Sequence, residues 1–354
     1  MQVVVARQKV NNPLWSFPEK IMRIYQASET NPALIKKQKI AIIGYGNQGA
    51  AHAENLRDSS AEVIIGAREN SQKAEAARAK KFTVLSAVGA ARAADIVMIM
   101  TPDETHQAVY QEISAELTPQ KILGFCHGLA VHFGYIQPPP DLDVMLVSPK
   151  VPGYVLRENY QSGKGSLILA GIWQNPSGRA MDMALSYATA ISGGDAGILE
   201  STFGDECITN LFGEQAVLCG GIPEVIKAAY DTLVEAGYPE ELAYSECVNQ
   251  SKLLVDLIVK GGIKFMREKI SNTAEYGGLV SGPRVINDGV RAEMKEILTE
   301  IRSGAFAQTW MDENKNGLKN LQQLRQAESR HGTEKTGQQM RSLMQGSAEE
   351  RKAS

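Results

Sequence analysis

Lys39-Ile40-Ala41-Ile42-Ile43-Gly44-Tyr45-Gly46-Asn47-Gln48-Gly49 is the stretch that decides the fold of this 354-residue chain. Its first five residues predict a buried β-strand, and a Gly-x-Gly-x-x-Gly turn then leads into a helical run from Ala50. Gly44 permits the tight turn, Gly46 lets the main chain approach a pyrophosphate, and Gly49 allows the helix to pack closely on the strand. Strand, turn and helix in this order predict a dinucleotide site, because a helix N-terminus stabilises an anion. The alternative is a structural turn that binds no ligand.

Short β-rich segments alternate with amphipathic helical segments in the first half of the chain. The predicted strands are 39–44, 62–66, 95–101, 121–126 and 143–148, with a further candidate at 167–170. The predicted helices between the early strands are 50–58, 71–80 and 105–116. This alternation predicts an α/β fold with a doubly wound parallel sheet.

The second half of the chain is predicted to be all-α, since long helical segments follow residue 177 almost without β-branched runs. These segments are 180–191, 205–219, 223–236, 240–259 and 284–303. We therefore divide the chain into a leader at 1–37, a Rossmann domain at 38–178, an all-α domain at 179–330 and a polar tail at 331–354. The leader is expected to be irregular, and the tail is expected to be mobile because it is polar.

Composition excludes several classes of protein. A net charge of −3 and a pI near 6.0 argue against a nucleic-acid or polybasic membrane protein. No apolar run approaches the ~20 residues that a membrane span needs, and the first residues lack a secretory signal. The four cysteines have no CxxC spacing and lie in apolar runs, so buried free thiols and a cytoplasmic location are expected, although a disulfide is not excluded.

Cofactor preference is expected to depend on the residues after the second strand. An NAD site normally carries a carboxylate there, whereas this chain has Arg68, followed by Ser71 and Lys73. A guanidinium and a hydroxyl suit a 2′-phosphate, so NADPH is predicted over NADH. Glu69 is the counter-argument, and it is expected to point outward.

Three further strands end in polar residues at the edge of the sheet where ligands bind. Pro102 and Asp103 follow one strand and are predicted to contact the cofactor, together with Tyr45, Asn47 and Gln48 of the turn. His127 is predicted to donate a proton or orient substrate, or else to be structural. Lys150 is predicted to hold a carboxylate or polarise a carbonyl. Of the other histidines, two are expected to be structural (His52, His132) and two to lie at the surface (His106, His331).

Two helical segments look like a metal site that has lost half of its charge. Asn210 and Glu214 are spaced i, i+4, as are Glu246 and Gln250, so each pair shares one helix face. Two facing pairs of carboxylates could hold two Mg²⁺ ions, but here each pair offers one carboxylate and one amide.

From about residue 24 to residue 344 the chain resembles the ketol-acid reductoisomerases. The resemblance is carried by the turn already quoted and by Phe125-Cys126-His127-Gly128, Leu211-Phe212-Gly213-Glu214-Gln215-Ala216-Val217-Leu218-Cys219-Gly220-Gly221, Lys252-Leu253-Leu254-Val255-Asp256-Leu257-Ile258 and Ser271-Asn272-Thr273-Ala274-Glu275-Tyr276-Gly277. It implies a Rossmann domain, a knotted all-α domain and a homodimer through the helices. It also implies a two-step reaction in which two Mg²⁺ ions drive an alkyl migration and NADPH then reduces a ketone.

The resemblance assigns roles to individual residues and marks where this chain departs from the family. Glu214 and Glu246 match metal ligands, whereas Asn210 replaces an aspartate that bridges both ions and Gln250 replaces a glutamate. Ser271 matches a serine that contacts the substrate carboxylate. The remaining matches are a pocket histidine and a lysine after the fifth strand (His127, Lys150), and further departures are Val151 for glycine and Tyr154 for histidine.

Two carboxylates leave an excess of about two positive charges on a pair of Mg²⁺ ions, which prefer anionic oxygen ligands. We therefore expect no full metal pair and a lost or weakened isomerisation, while hydride transfer from NADPH remains possible. The predicted function is an NADPH-dependent reductase acting on a cyclic imine or a 2-keto group, with Glu214 and Glu246 suited to a cationic substrate. The alternatives are a working reductoisomerase of branched-chain amino-acid biosynthesis and a non-catalytic NADPH-binding homologue.

Overall fold

The computed structural model describes residues 22–353, with side-chain surroundings described as far as residue 343. Most of the predicted leader, including Pro13 and Pro18, lies outside the described residues. Its described part contains a short strand and two 3₁₀ turns, and Ile35 is fully buried. Ala27 N–H donates to Asp195 Oδ1 at 2.9 Å, and Ile35 N–H donates to Ser186 Oγ at 3.1 Å. The leader is therefore tied to the first half of the chain over residues 24–37.

The strands of the described residues form one nine-stranded sheet. They are β1 (Ile24–Tyr25), β2 (Lys39–Ile43), β3 (Glu62–Gly66), β4 (Thr83–Leu85), β5 (Ile96–Ile99), β6 (Ile122–Phe125), β7 (Asp143–Pro149), β8 (Ile168–Gln174) and β9 (Ile198–Ser201). Their order is β1-β9-β8-β7-β6-β5-β2-β3-β4. The six strands from β7 to β4 in this order are parallel, which confirms the doubly wound sheet. Two pairings are antiparallel, β7 with β8 and β1 with β9, so the sheet is mixed at one end.

Helices cover this sheet. They are α1 (Asn47–Asp58), α2 (Gln72–Ala79), α3 (Ala87–Ala93), α4 (His106–Ile113), α6 (Gly153–Gln161) and α7 (Ala180–Ser192), whereas the short helix α5 (Leu129–His132) belongs to the second compact unit described next. Helix α1 packs on α6 and α7 with its small and apolar face, and Leu56 on this face is fully buried. Asn55 is also fully buried because its Nδ2 donates to the Ile191 carbonyl and its Oδ1 accepts from Arg157. The core under the glycine-rich turn is therefore rigidly tied to its neighbouring helices.

The remaining helices belong to a second compact unit. They are α8 (Phe203–Gly213), α9 (Gly221–Glu235), α10 (Glu240–Tyr244), α11 (Gln250–Glu268), α12 (Asn272–Val285), α13 (Asp288–Ser303), α14 (Ala305–Lys315), α15 (Lys319–Glu328) and α16 (Gly332–Ala353). Within the described residues, one compact unit comprises residues 22–101, 108–127 and 138–203, and the other comprises residues 102–107, 128–137 and 204–353. A helical second half is thus confirmed.

Three expectations need correction. The segment predicted as one helix at 240–259 is interrupted by a π-helical turn at Ser245–Asn249. Helix α11, which follows this turn, continues beyond the predicted end and bends at Gly262, where φ is +84°. The tail was expected to be mobile, but it forms helix α16, and Thr336 in this helix is fully buried. Of the four cysteines expected to be buried, Cys207 is buried, Cys126 and Cys247 are half-buried, and Cys219, which follows a second π-helical turn at Glu214–Leu218, is exposed; all four are free thiols.

Candidate active site

The glycine-rich turn has the geometry of a dinucleotide site. Gly44 has φ of +104°, and a Cβ there would lie 2.9 Å from Thr101. A Cβ on Gly49 would lie 2.1 Å from the Gly44 carbonyl oxygen, so only glycine permits this approach of helix to strand. A Cβ on Gly46 would meet nothing within 4 Å, which leaves open space beside the main chain. No side chain caps the N-terminus of α1, so its N–H groups remain available to an anion.

Two side chains of this turn are directed into the protein. Tyr45 is buried and its hydroxyl donates to Glu54 Oε1 at 3.3 Å; burial and this carboxylate raise the pKa of Tyr45 to about 12. Gln48 Nε2 donates to the Val151 carbonyl at 2.8 Å. These residues can therefore serve a cofactor through their main chain, whereas Asn47 is exposed at the first position of α1.

The loop that was predicted to determine cofactor preference lies between β3 and α2. Ser71 is the N-cap of α2: its Oγ accepts from Ala74 N–H at 3.2 Å and donates to the Arg68 carbonyl at 2.8 Å. The Arg68 and Lys73 side chains are exposed, and Glu69 is exposed as expected. This loop thus presents two cations at the carboxyl end of the sheet, while the hydroxyl of Ser71 also holds the helix start.

Residues 151–154 lie against the same turn. A Cβ on Gly153 would come within 2.1 Å of the Asn47 carbonyl oxygen, so α6 begins in direct contact with the glycine-rich turn. Tyr154, which the resemblance stated above marks as a departure, is 66% exposed. It lines a cleft of about 340 Å³ together with Gly46, Lys73 and Arg157. The altered loop is therefore a neighbour of the predicted pyrophosphate position.

Two predicted site residues follow adjacent parallel strands. His127 lies two residues beyond β6, and Lys150 directly follows β7, so both come from the carboxyl edge of the sheet. Both side chains are half-buried. Pro102 and Asp103 belong to the second compact unit, where Asp103 Oδ1 lies 3.8 Å from His106 Nδ1.

Glu206 is a candidate residue that the sequence analysis missed. It lies on α8, is only 1% exposed, and accepts a 2.9 Å hydrogen bond at Oε2 from the main-chain N–H of Gly128. Gly128 follows His127 in the chain, so the carboxylate fixes the segment next to that histidine. The sequence did contain a signal for it: Glu206, Asn210 and Glu214 follow one another at intervals of four residues, a spacing that places side chains on one helix face.

In the first pair, Asn210 Nδ2 donates to Glu214 Oε1 at 3.2 Å. Glu214 opens the π-helical turn Glu214–Leu218, in which Cys219 N–H donates to the Glu214 carbonyl at 2.7 Å. Such turns occur frequently at functional sites. The amide and the carboxylate are thus joined to each other at the start of an irregular turn.

In the second pair, Gln250 Nε2 donates to Glu246 Oε2 at 2.7 Å. Both residues are exposed, and Glu246 lies inside the π-helical turn Ser245–Asn249, where Gln250 N–H donates to the Ser245 carbonyl. Burial and the neighbouring Glu246 raise the pKa of Cys247. Each of the two segments singled out by the sequence therefore combines a π-helical turn with an amide bound to its carboxylate.

The remaining residues of the predicted site do not complete a metal cluster. Ser271 is exposed and is the N-cap of α12, where its Oγ accepts from Ala274 N–H at 3.2 Å. Among the residues described, no three side chains of His, Cys, Asp or Glu come together in a group able to hold a metal ion.

Of the four histidines assigned from the sequence, two behave as expected, one is buried instead of exposed, and one is half-buried. His52 is fully buried with Nδ1 3.0 Å from the Tyr187 hydroxyl, and burial lowers the pKa of His52 to about 3. His132 packs edge-on against Phe133, and burial lowers its pKa too. The prediction of a surface position for His106 is wrong, because the α4 start places it only 2% exposed. His331 is half-buried and lies 3.2 Å from Asp231.

No helix of the described residues is long and apolar enough to cross a membrane.

Comparison with known proteins identifies the family. The chain matches the family model for the acetohydroxy acid isomeroreductase NADPH-binding domain over residues 34–197 and the model for the ketol-acid reductoisomerase C-terminal domain over residues 203–346. Among solved structures it is similar to an NADH-preferring ketol-acid reductoisomerase from an uncultured archean. That similarity has 42% sequence identity and a TM-score of 0.88, and covers 91% of this chain and 99% of the other.

Two more distant similarities concern the fold alone. A semialdehyde dehydrogenase NAD-binding protein from Cupriavidus necator is 21% identical with a TM-score of 0.58, over 75% of this chain and 99% of that one. A pyrroline-5-carboxylate reductase from Coxiella burnetii is 12% identical with a TM-score of 0.53, over 76% and 98% respectively. With both domain models matched in order and a 42% identical structure covered almost completely, this chain belongs to the ketol-acid reductoisomerase family.

Proposed function

We propose that the protein is an NADPH-dependent reductase in which the metal-driven isomerisation of its family is lost or severely weakened. The observation that carries the proposal is that the two amides donate hydrogen bonds to the two remaining carboxylates, Asn210 to Glu214 and Gln250 to Glu246. Each bond engages one of the two oxygens of a carboxylate that would otherwise be open to a metal ion.

A pair of Mg²⁺ ions does not fit this set of donors. Mg²⁺ releases its waters reluctantly and is held by anionic oxygens, whereas an amide oxygen contributes no charge. To coordinate an ion, each amide would also have to rotate and give up its bond to the neighbouring carboxylate. An excess of about two positive charges would then remain uncompensated in the site.

Hydride transfer to a substrate does not require the pair of metal ions. When bound, the nicotinamide cofactor supplies a hydride. The N–H groups at the start of α1 would bind its pyrophosphate beside Gly46, and the Arg68 guanidinium would hold the 2′-phosphate. His127 would donate a proton to the reduced substrate, and Lys150 would bind its carboxylate or polarise a carbonyl.

The substrate class that suits the two carboxylates best is a cyclic imine in its protonated form. An iminium carbon is activated by its own positive charge and needs no Lewis acid. Glu214 and Glu246, both exposed in the chain, offer negative charge to an iminium or amino group. Ser271 would contact a substrate carboxylate. Reduction of a 2-keto acid is the second reaction that these groups support.

The competing function is a working ketol-acid reductoisomerase. It is favoured by the match to both family models and by the 42% identity to a reductoisomerase. In that case the amides would be tolerated as weak ligands of a single ion. The same relative prefers NADH, so NADH is the competing cofactor.

We further propose that the second compact unit pairs with a second copy of this chain. Helices α11 and α12 bury no residue completely in the single chain. Their exposed apolar side chains include Leu253, Leu254, Val255, Ile258, Val259, Ile263, Tyr276, Leu279 and Val280. Apolar surface of this extent is typical of obligate homodimers. Sedimentation equilibrium should give twice the mass of 38.5 kDa, and a monomer would contradict the pairing.

The test of function is cofactor oxidation by the purified protein, with NADPH and NADH in parallel. One reaction contains 2-acetolactate and saturating Mg²⁺, and the others contain cyclic imines or 2-keto acids without added metal. We expect no turnover of 2-acetolactate and metal-independent turnover of an imine. Metal-dependent turnover of 2-acetolactate would establish the reductoisomerase instead. NADPH binding without turnover of any substrate would indicate a non-catalytic homologue.

A further inference from the structure

The C-terminal helix α16 is docked on the second unit through a buried threonine. Thr336 is fully buried; its hydroxyl accepts from Tyr230 of α9 at 2.9 Å and donates to Glu240 Oε2 of α10 at 3.0 Å. One hydroxyl therefore joins three helices. A buried hydroxyl that makes both of its hydrogen bonds fixes the position of the helix that carries it, because any shift of that helix would leave a polar group unpaired.

Two glycines allow α16 to approach two tyrosines closely. A Cβ on Gly332 would lie 3.0 Å from the Tyr230 ring, and a Cβ on Gly337 would lie 2.7 Å from the Tyr244 hydroxyl. Arg341 Nη1 donates to that same hydroxyl at 3.4 Å. The first turns of α16 thus fit one surface, formed by the rings of Tyr230 and Tyr244.

This surface continues directly into the turn that carries Glu246. Tyr230, Ala243 and Tyr244 form a buried cluster, and both Met340 of α16 and Val248 of the π-helical turn pack against it. Tyr244 ends α10, two residues before Glu246. The docked helix and the carboxylate-bearing turn therefore share one cluster of side chains.

We propose that Thr336 is a positioning residue for the π-helical turn Ser245–Asn249. By holding Glu240 at the start of α10 and packing α16 on Tyr244, it fixes the direction in which Glu246 and Gln250 leave the helix. The turn is irregular and Glu246 is exposed, so the direction of Glu246 depends on how Tyr244 and Val248 pack beside it. The inference rests on the proposed function only in taking Glu246 as a substrate-binding group.

The experiment compares amide hydrogen exchange in the full-length protein and three variants. Thr336→Val keeps the shape of the side chain and removes both hydrogen bonds, whereas Thr336→Ser keeps the hydroxyl. Ser342→Ala is the matched control, since the Ser342 hydroxyl donates to the Gln338 carbonyl within α16 itself. We expect Thr336→Val to raise exchange over residues 242–250 about threefold to tenfold, the equivalent of one hydrogen bond. Thr336→Ser and Ser342→Ala should exchange like the wild type.

The location of the faster exchange distinguishes a positioning role of Thr336 from a general contribution of Thr336 to stability. If Thr336→Val loosens α16 alone, or the whole second unit equally, the proposal is overturned. Should Thr336→Val fail to fold, Arg341→Met removes the bond to Tyr244 and must loosen the same residues, 242–250, for the proposal to stand. Exchange needs no substrate, so loosening at 242–250 without imine turnover would uphold the positioning role and reject the proposed function. Imine turnover by the wild type, with no faster exchange at 242–250 in Thr336→Val, would reject only the positioning role.

Discussion

The Gln250 side chain donates a 2.7 Å hydrogen bond to Glu246 Oε2, one turn of chain away on the same exposed surface. The same relationship joins Asn210 to Glu214 at 3.2 Å. In both pairs the amide engages one oxygen of the neighbouring carboxylate. In the function proposed above, each amide supplies no charge for a cation and competes with the cation for that oxygen.

Restoring both carboxylates should restore metal binding. Asn210→Asp combined with Gln250→Glu replaces two donors by two anions, so each pair would repel itself unless a cation binds between its members. Isothermal titration with Mg²⁺ should detect binding to this variant that the wild type lacks. The control is Thr209→Asp with Asn249→Asp, which adds the same charge one residue away. Equal Mg²⁺ affinity in wild type and restored variant would reject the charge argument.

Arg68 should determine preference for the phosphorylated cofactor. Its side chain is exposed next to the capped start of α2, where a 2′-phosphate would pair with the guanidinium. Arg68→Gln should raise the Kd for NADPH about tenfold, the loss of one charge-assisted bond, and leave the Kd for NADH unchanged. Fluorescence titration measures both constants, with Arg325→Gln on the exposed face of α15 as control. A parallel loss for both cofactors would assign Arg68 a structural role.

Removing the Glu206 carboxylate should destabilise the second unit. Glu206→Ala leaves the buried N–H of Gly128 without an acceptor, which costs about 1–3 kcal/mol in free energy of unfolding. Glu206→Gln keeps an acceptor oxygen and should cost less. Urea unfolding measures the difference, with Glu300→Ala on the exposed surface of α13 as control. Equal stability of Glu206→Ala and the control would mean that water replaces the carboxylate at Gly128.

The buried His52 should make the protein sensitive to acid. Burial lowers the pKa of His52 to about 3, against 6.5 for a solvated histidine, so the unfolded chain binds a proton that the folded chain refuses. The free energy of unfolding therefore falls as pH drops from 6.5 towards 3, by roughly 1.4 kcal/mol per pH unit. Between pH 6.5 and 4.5, His52→Gln should lose about 2 kcal/mol less than the wild type.

Chemical denaturation at the two pH values provides the measurement. Tyr187→Phe is the control for His52→Gln, since it removes the hydroxyl that contacts His52 Nδ1 and keeps the histidine. Its pH dependence should match that of the wild type. If His52→Gln instead retains the full acid loss, the sensitivity arises from other groups.

The sequence predicted the sheet well where a single residue pattern determines the structure. Strand β3 occupies the predicted residues, and β2 and β7 differ by one residue at one end. Buried parallel strands have continuous apolar runs, so their limits are visible without tertiary information. The short strand β4 and the helix α3 were missed, because three and seven residues carry too little periodicity.

The candidate site was predicted by residue type but not by local geometry. The spacing of Asn210 and Glu214 is helical, and nothing in it distinguishes an α-turn from the π-helical turn that Glu214 opens. Glu206 was missed because a carboxylate normally lies at the surface, and its buried partner is a main-chain N–H contributed by a distant residue. The tail was misjudged for a similar reason, since its polar composition conceals Thr336, whose partners lie on α9 and α10.

The contact between the altered loop and the glycine-rich turn couples two positions thermodynamically. The Val151 carbonyl accepts from Gln48, and Gly153 lies against the Asn47 carbonyl, so loop and turn move as one piece. A ligand that favours one arrangement of the turn must favour the matching arrangement of Tyr154 by the same free energy, and the reverse holds equally. We therefore expect substitutions at residues 151 and 154 to change cofactor affinity as well, through the contacts that join the loop to the glycine-rich turn.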